Sequence, residues 1–401
     1  MRAEIGPLPV VVGSVGVHTP ADALDYLEAG ADLVQVDSGL AFAGPGLAKR
    51  INEAILYWRQ MSEPATAAPA VRPARQSWFW ALLMGLSMLF GGLLAMAIAV
   101  TRVVMPYDES MAGLARRQLV EINARLLSFM THDRVTLAGT MLAVGMLYTS
   151  LSIYGLRRGA HWAYLSVACS ALAGFVSFFS FLGFGYFDPF HAFVTAILFQ
   201  FLVLTVHSEL PAPQRTAPPE LHNDWRWRAN QWGQLLFVAH GAALIAAGIV
   251  ISVIGMTSVF VPEDLEFMQT CTAELVDAHP QLIPLVAHDR ATFGGMLVAC
   301  GMATLLPALW GFQRGQAWLW RALMLAGNVA YGSTIAVHWC VGYQSLKHLL
   351  PAYSGLALLW IGGIASYWFL AARDPKLEKE WQRRLRRDEA SQHAAAWVDR
   401  K

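Results

Sequence analysis

THDRVTLAGTMLAVGMLYTSLSIYGLRRGAHW, residues 131–162, returns as AHDRATFGGMLVACGMATLLPALWGFQRGQAW, residues 287–318. A shift of 156 residues lays His132-Asp133-Arg134 on His288-Asp289-Arg290. The same shift lays Gly139, Gly145, Met146, Gly155 and Trp162 on Gly295, Gly301, Met302, Gly311 and Trp318. Upstream it joins Gly85 to Gly241, Gly92 to Gly248, Thr101 to Thr257, Pro106 to Pro262 and Asp108 to Asp264. One residue more superposes Gly185-Tyr186 on Gly342-Tyr343 and His191 on His348. A fixed internal period of this kind signals a duplicated structural unit.

Each unit is apolar. Eight apolar stretches occupy roughly 78–100, 135–156, 161–184, 190–207, 233–256, 291–313, 317–340 and 350–372. Each is near the ~20 residues a helix needs to cross a bilayer. Of 57 charged residues, 14 fall in 1–76 and 15 in 373–401, which leaves 28 for the 296 residues between. That is too few to clothe a water-soluble domain and excludes a disordered chain. The net charge of +1 gives no electrostatic reason for a nucleic-acid partner. The expected fold class is mainly α, a polytopic membrane helical bundle of eight spans. With four spans per unit both copies share one orientation, as parallel repeats related by an axis along the membrane normal.

Arginines before the first span (Arg72, Arg75) and between later ones (Arg157, Arg158, Arg215, Arg226, Arg228, Arg314) share a side with the basic tail. By the positive-inside rule both termini are cytoplasmic, against the contrary signal of Arg116, Arg117 and Arg125 in the first outer loop. The expected location is a bacterial inner (cytoplasmic) membrane, with the lipid bilayer as first partner. Residues 111–130 read as an amphipathic helix on the outer surface, and the charged helix of the tail as a solvated or lipid-facing one. The four cysteines lack CxxC spacing, and three of them lie in apolar stretches, where a thiol behaves as a small hydrophobe.

The repeated polar residues are the functional candidates of this half. One outer cluster per copy is expected: Asp108, His132, Asp133, Tyr186 and His191, then Asp264, His288, Asp289, Tyr343 and His348. Imidazole beside carboxylate binds metals or relays protons, although no residue is assigned here as a metal ligand. The structural alternative has Asp133 and Asp289 capping helices, Arg134 and Arg290 reaching to headgroups, and the tyrosines in an aromatic belt. His338 lies within the seventh span without a counterpart and reads as a hydrogen-bonded core residue.

The first 61 residues differ in kind, and residues 62–77 form a Pro/Ala-rich linker. Leu8 to Val12 is a strand-like apolar run. TPADALDYLEAGA reads as a helix capped by Thr19, begun by Pro20 and stopped by Gly30. Asp32 to Val36 is a second buried strand, and GPGLAKRINEAILYW a second helix with Leu47, Ile51, Ile55 and Leu56 on one face. The order β-α-β-α is that of a parallel sheet or barrel.

VVVGSVGVHTPADALDYLEAGADLVQVDSGLAFAGPGLAKRINEAIL, residues 10–56, resembles the last two β/α units of the membrane-associated, quinone-using class of dihydroorotate dehydrogenase. The spacing of VG-x-x-GV, AGADLVQ-x-x-SG and GPGL carries the resemblance. It implies a partial (β/α) barrel fragment at the N-terminus, an FMN cofactor, and oxidation of dihydroorotate to orotate in pyrimidine biosynthesis. It also implies that Gly16, Ser38 and Gly39 contact the FMN phosphate. The chain departs from the family at Val15, where Gly is usual, and at Asp37, where Tyr is usual. The family's catalytic base, substrate asparagines and flavin-contacting lysine lie in earlier units than these two, so no catalytic residue is assigned. Three explanations stay open: the chain is part of a longer enzyme, the missing units lie on another chain, or the head is a relic. The expected function is the membrane-fused C-terminal part of an FMN-dependent, quinone-linked dihydroorotate dehydrogenase. The alternative is a non-enzymatic multi-pass membrane protein, transporter-like, sensor or scaffold.

Overall fold

The computed structural model describes residues 9–44, 46–62, 77–180, 189–207, 218–371 and 374–398. In the head, β1 (Val12–Gly13) and β2 (Leu33–Val34) pair in parallel, Val12 opposite Leu33 and Gly13 opposite Val34. Helix α1 (Pro20–Glu28) connects them, capped as its sequence dictates. Thr19 Oγ1 accepts from Asp22 N at 3.3 Å, and Asp22 Oδ2 accepts from Thr19 N at 2.8 Å. Gly30 follows at φ +95°, a conformation that suits a residue without Cβ. Then come α2 (Ser38–Ala43), which the sequence did not announce, and α3 (Gly46–Ser62).

Two expectations fail here. The strands are not buried: Val12 is 48% and Leu33 59% exposed. Among the described residues two strands make the whole sheet, and one face of it stays uncovered. On α3 the buried positions are Leu47, Ile51 and Ala54, whereas Leu56 points outward, because the helix leans on α1.

Eight apolar helices follow: α4 (Ser77–Thr101), α7 (Leu126–Ser150), α8 (His161–Ser180), α9 (Pro189–Val206), α10 (Trp225–Met256), α13 (Leu282–Trp310), α14 (Ala317–Val341) and α15 (Leu346–Leu370). Six of them are long and apolar enough to cross a membrane; α8 and α14 fall outside that set. The described apolar run of α8 is short, and α14 dilutes its hydropathy with Arg321, Asn328, Ser333, Thr334 and His338. Phe90, Phe193, Trp232, Val250 and Ile364 all point outward from the bundle. Large apolar side chains over so much surface suit lipid rather than water.

The helices associate through small residues. Gly85 lies against Thr149, where an added Cβ would meet the backbone N at 2.7 Å, and Gly241 lies against Leu305 at 2.8 Å in the same way. Gly145 against Leu89 and Gly301 against Ile245 repeat the pattern. Thus α4 packs on α7 and α10 on α13 through contacts that recur 156 residues apart. The third helix of each half crosses over: α14 packs on α7, and α8 on α13. The fourth helices return, α9 to α4 and α15 to α10.

At the end away from the head, short helices fill the connections: α5 (Pro106–Ala112), α6 (Arg116–Ile122), α11 (Pro262–Met268) and α12 (Thr272–Ala278). The single amphipathic helix expected over 111–130 is therefore broken, with Gly113 at φ +66° ending α5. Leu114, Leu119 and Leu126 bury into a core shared with Phe260, Leu275 and Leu282 of the second half.

The charged tail, α16 (Pro375–Val398), does not lie free. Trp381 is buried edge-on against Tyr57 and donates from Nε1 to Pro219 O at 3.0 Å. Arg384 reaches Asp25 at 2.8 Å and Glu28 at 2.7 Å. The strip 218–224 joins head to bundle: Arg50 donates to Asn223 Oδ1 at 2.7 Å and stacks 4.1 Å over Trp227. Burial of Arg50 lowers its pKa to about 10, although Glu220, Glu53 and Asp224 pull upward.

Candidate functional site

The two HDR triplets sit inside α7 and α13, not at their starts, because each helix begins six residues before its histidine. Asp133 and Asp289 are therefore not caps, and Arg134 and Arg290 do not reach for headgroups. They pair across the halves. Arg134 donates from Nε to Asp289 at 2.8 Å and from Nη1 to Asp108 at 2.8 Å. Arg290 donates from Nε to Asp133 at 3.2 Å and lies 2.7 Å from Asp264. Each guanidinium also donates to a carbonyl at a matching place, Val103 O and Val259 O. Those two valines hold φ of +65° and +64°. Asp108 and Asp264 in turn close the first turns of α5 and α11 by accepting from Met105 N and Val261 N.

The candidate residues are brought together, but in exchanged company. His132 and Asp133 of the first half join Asp264, Tyr343 and His348 of the second. His288 and Asp289 join Asp108 and His191 of the first, with His191 Nδ1 3.3 Å from His288 Nε2. The crossed third helices cause the exchange, since each delivers its end to the other half's HDR. Tyr186 lies outside the described residues.

His338, set aside in the sequence as a core residue, belongs to the first of these groups. Its ring centroid is 4.2 Å from that of His132. His132, His338 and His348 bring one ring nitrogen each within 4.8 Å of one another. Tyr343 donates to Asp264 Oδ1 at 2.8 Å, and its oxygen lies 3.2 Å from His348 Nδ1.

These histidines edge a cavity of about 540 Å³ that runs into the bundle between α7, α10, α13, α14 and α15. Its wall is largely apolar, with Phe237, Leu297 and Leu358 among the lining residues. Midway along α10, His240 faces it; Nε2 lies 2.7 Å from Tyr331 Oη, and Nδ1 is buried without a partner among the described residues. The sequence reading passed over His240, although a lone ionisable residue in the apolar run LLFVAHGAALIAAG carried the signal.

In the head, Val15 and Gly16 turn the chain with φ of +78° and +74°. Tyr26 holds that turn by donating to Ser14 O at 2.7 Å. Space above Gly16 is open. Gly39 is buried against Val17, where a Cβ would strike the carbonyl oxygen. The two loops thus meet, and Ser38 begins α2 beside them. Residues 1–57 match the quinone-type dihydroorotate dehydrogenase family. The family model is that of dihydroorotate dehydrogenase. A "dihydroorotate dehydrogenase (quinone)" of Chelativorans sp. is 51% identical over 51 residues, 13% of this chain and 14% of its own. One from Chloroflexus aurantiacus is 54% identical over 46 residues, 12% and 13% of the two chains. One from a Synechococcus sp. is 37% identical over 75 residues, 19% of each. The chain therefore spans less than a fifth of the length of these relatives. No solved structure matches it.

Against an FMN phosphate, the open turn at Gly16 leaves room for a small anion, whereas the space at Gly39 is filled by the carbonyl oxygen of Val17. Asp37 is exposed next to Ser38 and adds a like charge. The fit extends to the phosphate end of the flavin alone.

Proposed function

We propose that this chain is the membrane part of a quinone-linked dihydroorotate dehydrogenase, with its helices as a quinone-binding domain. Eight helices cross the bilayer as two parallel four-helix copies, with both termini cytoplasmic. The head is completed by further β/α units, on the same polypeptide or on a partner, and the outer edges of β1 and β2 are where their strands pair. In the completed barrel Gly16, Ser38 and Gly39 hold the phosphate of FMN. When bound, FMN supplies two-electron exchange with dihydroorotate.

One observation carries the quinone reading: an apolar cavity inside the helices with a buried, unpartnered nitrogen, His240 Nδ1, facing it. A quinone is an apolar ring with carbonyl acceptors and an apolar tail, so it needs such a wall and few donors. In the tautomer in which Tyr331 donates to Nε2, His240 carries its proton on Nδ1, positioned for a quinone carbonyl.

The test is binding of a short-chain ubiquinone analogue to the purified full chain in detergent, read by thermal shift and tryptophan quenching. Saturable binding that His240→Ala abolishes supports the reading; no binding by the parent chain ends it. A second reading is favoured by the distance between the HDR clusters and the head, which occupy opposite ends of the bundle. It makes the helices a non-enzymatic transporter, sensor or scaffold beside a vestigial head. In-frame β/α codons upstream of Met1, with yellow, dihydroorotate-oxidising protein, decide for the enzyme. An upstream stop codon and no co-purifying barrel chain decide for the alternative.

A further inference from the structure

We infer that His132, His338 and His348 form a transition-metal site of the zinc type at the mouth of the bundle cavity. The inference stands apart from the quinone reading and uses different residues.

It rests on how the three rings are held. His338 Nδ1 lies 2.6 Å from the carbonyl oxygen of Thr334. A carbonyl only accepts, so Nδ1 carries the proton and Nε2 the lone pair. That Nε2 is buried and has no hydrogen-bond partner among the described residues, in a residue 2% exposed. Tyr343 spends its proton on Asp264, so toward His348 Nδ1 at 3.2 Å it acts as acceptor. Proton and lone pair on His348 are thereby fixed as in His338. His132 Nδ1 lies 3.0 Å from Asp133 Oδ1, an electrostatic contact rather than a well-aligned hydrogen bond. A carboxylate there again favours the proton on Nδ1.

Each of the three rings thus brings one nitrogen to a common space, and His338 Nε2 is a buried lone pair with no donor among the described residues. Buried acceptors without donors are costly. A cation that prefers imidazole nitrogen removes that cost. The outer partners are those that orient metal-binding histidines elsewhere: a carboxylate, a backbone carbonyl, and a hydroxyl backed by a carboxylate. The ring nitrogens now lie within 4.8 Å of one another. Zn–N bonds of about 2.0–2.1 Å would draw them in by roughly an ångström. Three protein ligands leave the fourth position open to the cavity, where water or a ligand oxygen completes it.

Asp133 and Asp264 offset the ion's charge, while Arg290 holds both carboxylates in place. The related group at His288 and His191 differs. There His191 Nδ1 points at His288 Nε2 at 3.3 Å, so one ring donates to the other. The two halves thus carry the same ion-pair frame, but among the described residues three histidines meet only at His132.

The experiment titrates Zn2+ alone into metal-stripped full chain, with any affinity tag removed, against a chromophoric chelator. Bound metal after dialysis is counted by elemental analysis. One Zn2+ per chain is expected, with affinity falling at least tenfold in His338→Ala and in His348→Ala. His191→Ala should bind as the parent does. Zn2+ should raise the melting temperature of the parent and of His191→Ala, and leave the two ligand variants unmoved. His338→Cys, which keeps a metal-binding side chain, should retain the ion. The inference is overturned if the parent binds no stoichiometric Zn2+, or if both alanine variants bind as well as the parent. Any variant that misfolds is recognised by its gel-filtration profile, and His338→Phe or His348→Phe, which keeps an aromatic ring without a ligand atom, then serves in its place.

Discussion

Arg134 of α7 and Asp289 of α13 form a 2.8 Å ion pair between the two halves, and a shift of 156 residues turns it into the pair Arg290–Asp133 at 3.2 Å. Both pairs are buried, and both guanidiniums hold a second carboxylate. Removing the shared guanidinium leaves two uncompensated carboxylates. Arg134→Met is expected to cost about 3–5 kcal/mol, whereas Arg134→Met with Asp108→Asn and Asp289→Leu costs much less. Thermal unfolding in detergent checks this. Equal losses in the single and triple variants would show that these ion pairs do not hold the halves together.

The glycines that allow close helix contact make a second prediction. A Cβ at Gly248 would meet Gly294 O at 2.6 Å, whereas one at Gly332 meets nothing within 4 Å. Gly248→Val should therefore destabilise the bundle by more than 2 kcal/mol. Gly332→Ala should be neutral or stabilise it by about 0.5–1 kcal/mol. The same unfolding assay reads both.

Docking of the tail is testable at Trp381. Its indole is buried between Tyr57 and Pro219. Trp381→Ala should weaken this contact by about 3–5 kcal/mol and release α16 from α1 and α3. Hydrogen exchange should then rise along residues 375–388 while α7 and α13 keep their protection. Unchanged exchange in α16 would mean that its stability does not come from the head.

Where α16 begins, Asp374 supplies a pH dependence. Burial alone would raise its pKa, but the N–H groups of Leu377 and Lys376, with Arg314 and Arg226, bring it below the usual range. A folded pKa below the unfolded value means the stabilisation is complete above the unfolded pKa. It is lost as pH falls through the lower, folded one. Below about pH 4 the start of α16 should loosen, as read by hydrogen exchange. Asp374→Asn should be loosened already at neutral pH and show a weaker acid response. Glu220, held high by burial, takes up its proton earlier and acts in the opposite sense.

The cavity gives the fifth prediction. Tyr331→Phe removes the partner of His240 Nε2 and frees the imidazole to change tautomer. Affinity for the ubiquinone analogue should fall about five- to tenfold, the usual net worth of one hydrogen bond. His240→Ala should lose more. Equal affinity in all three proteins would remove these residues from any ligand role.

Much of the candidate chemistry could be read from the chain. The HDR triplets, Asp108, Asp264, Tyr343 and His348 stand out because they recur in an otherwise apolar background. Their partners could not be read. A period of 156 residues pairs residue types but does not say that α8 and α14 change sides, and the crossing moves His132 from His191's company into that of His348. His338 was undervalued for the same reason: it has no counterpart, so the repeat conferred nothing on it, and only the crossing brings it to His132. Trp381 and Arg384 looked like ordinary members of a charged helix, since nothing local marks a docking surface.

The sequence by itself determined the long apolar helices, the recurrence of residue types at 156 positions, the cap at Thr19 and the likeness of the first 57 residues to dihydroorotate dehydrogenase. Each of these is written in local periodicity, in a cap spaced over three residues, or in a direct match of residue types. Tertiary structure alone decided which histidine faces which carboxylate, where the cavity runs, and that the tail clasps the head. Those depend on helix crossings between residues more than a hundred positions apart, and local propensity does not encode the side on which a helix returns.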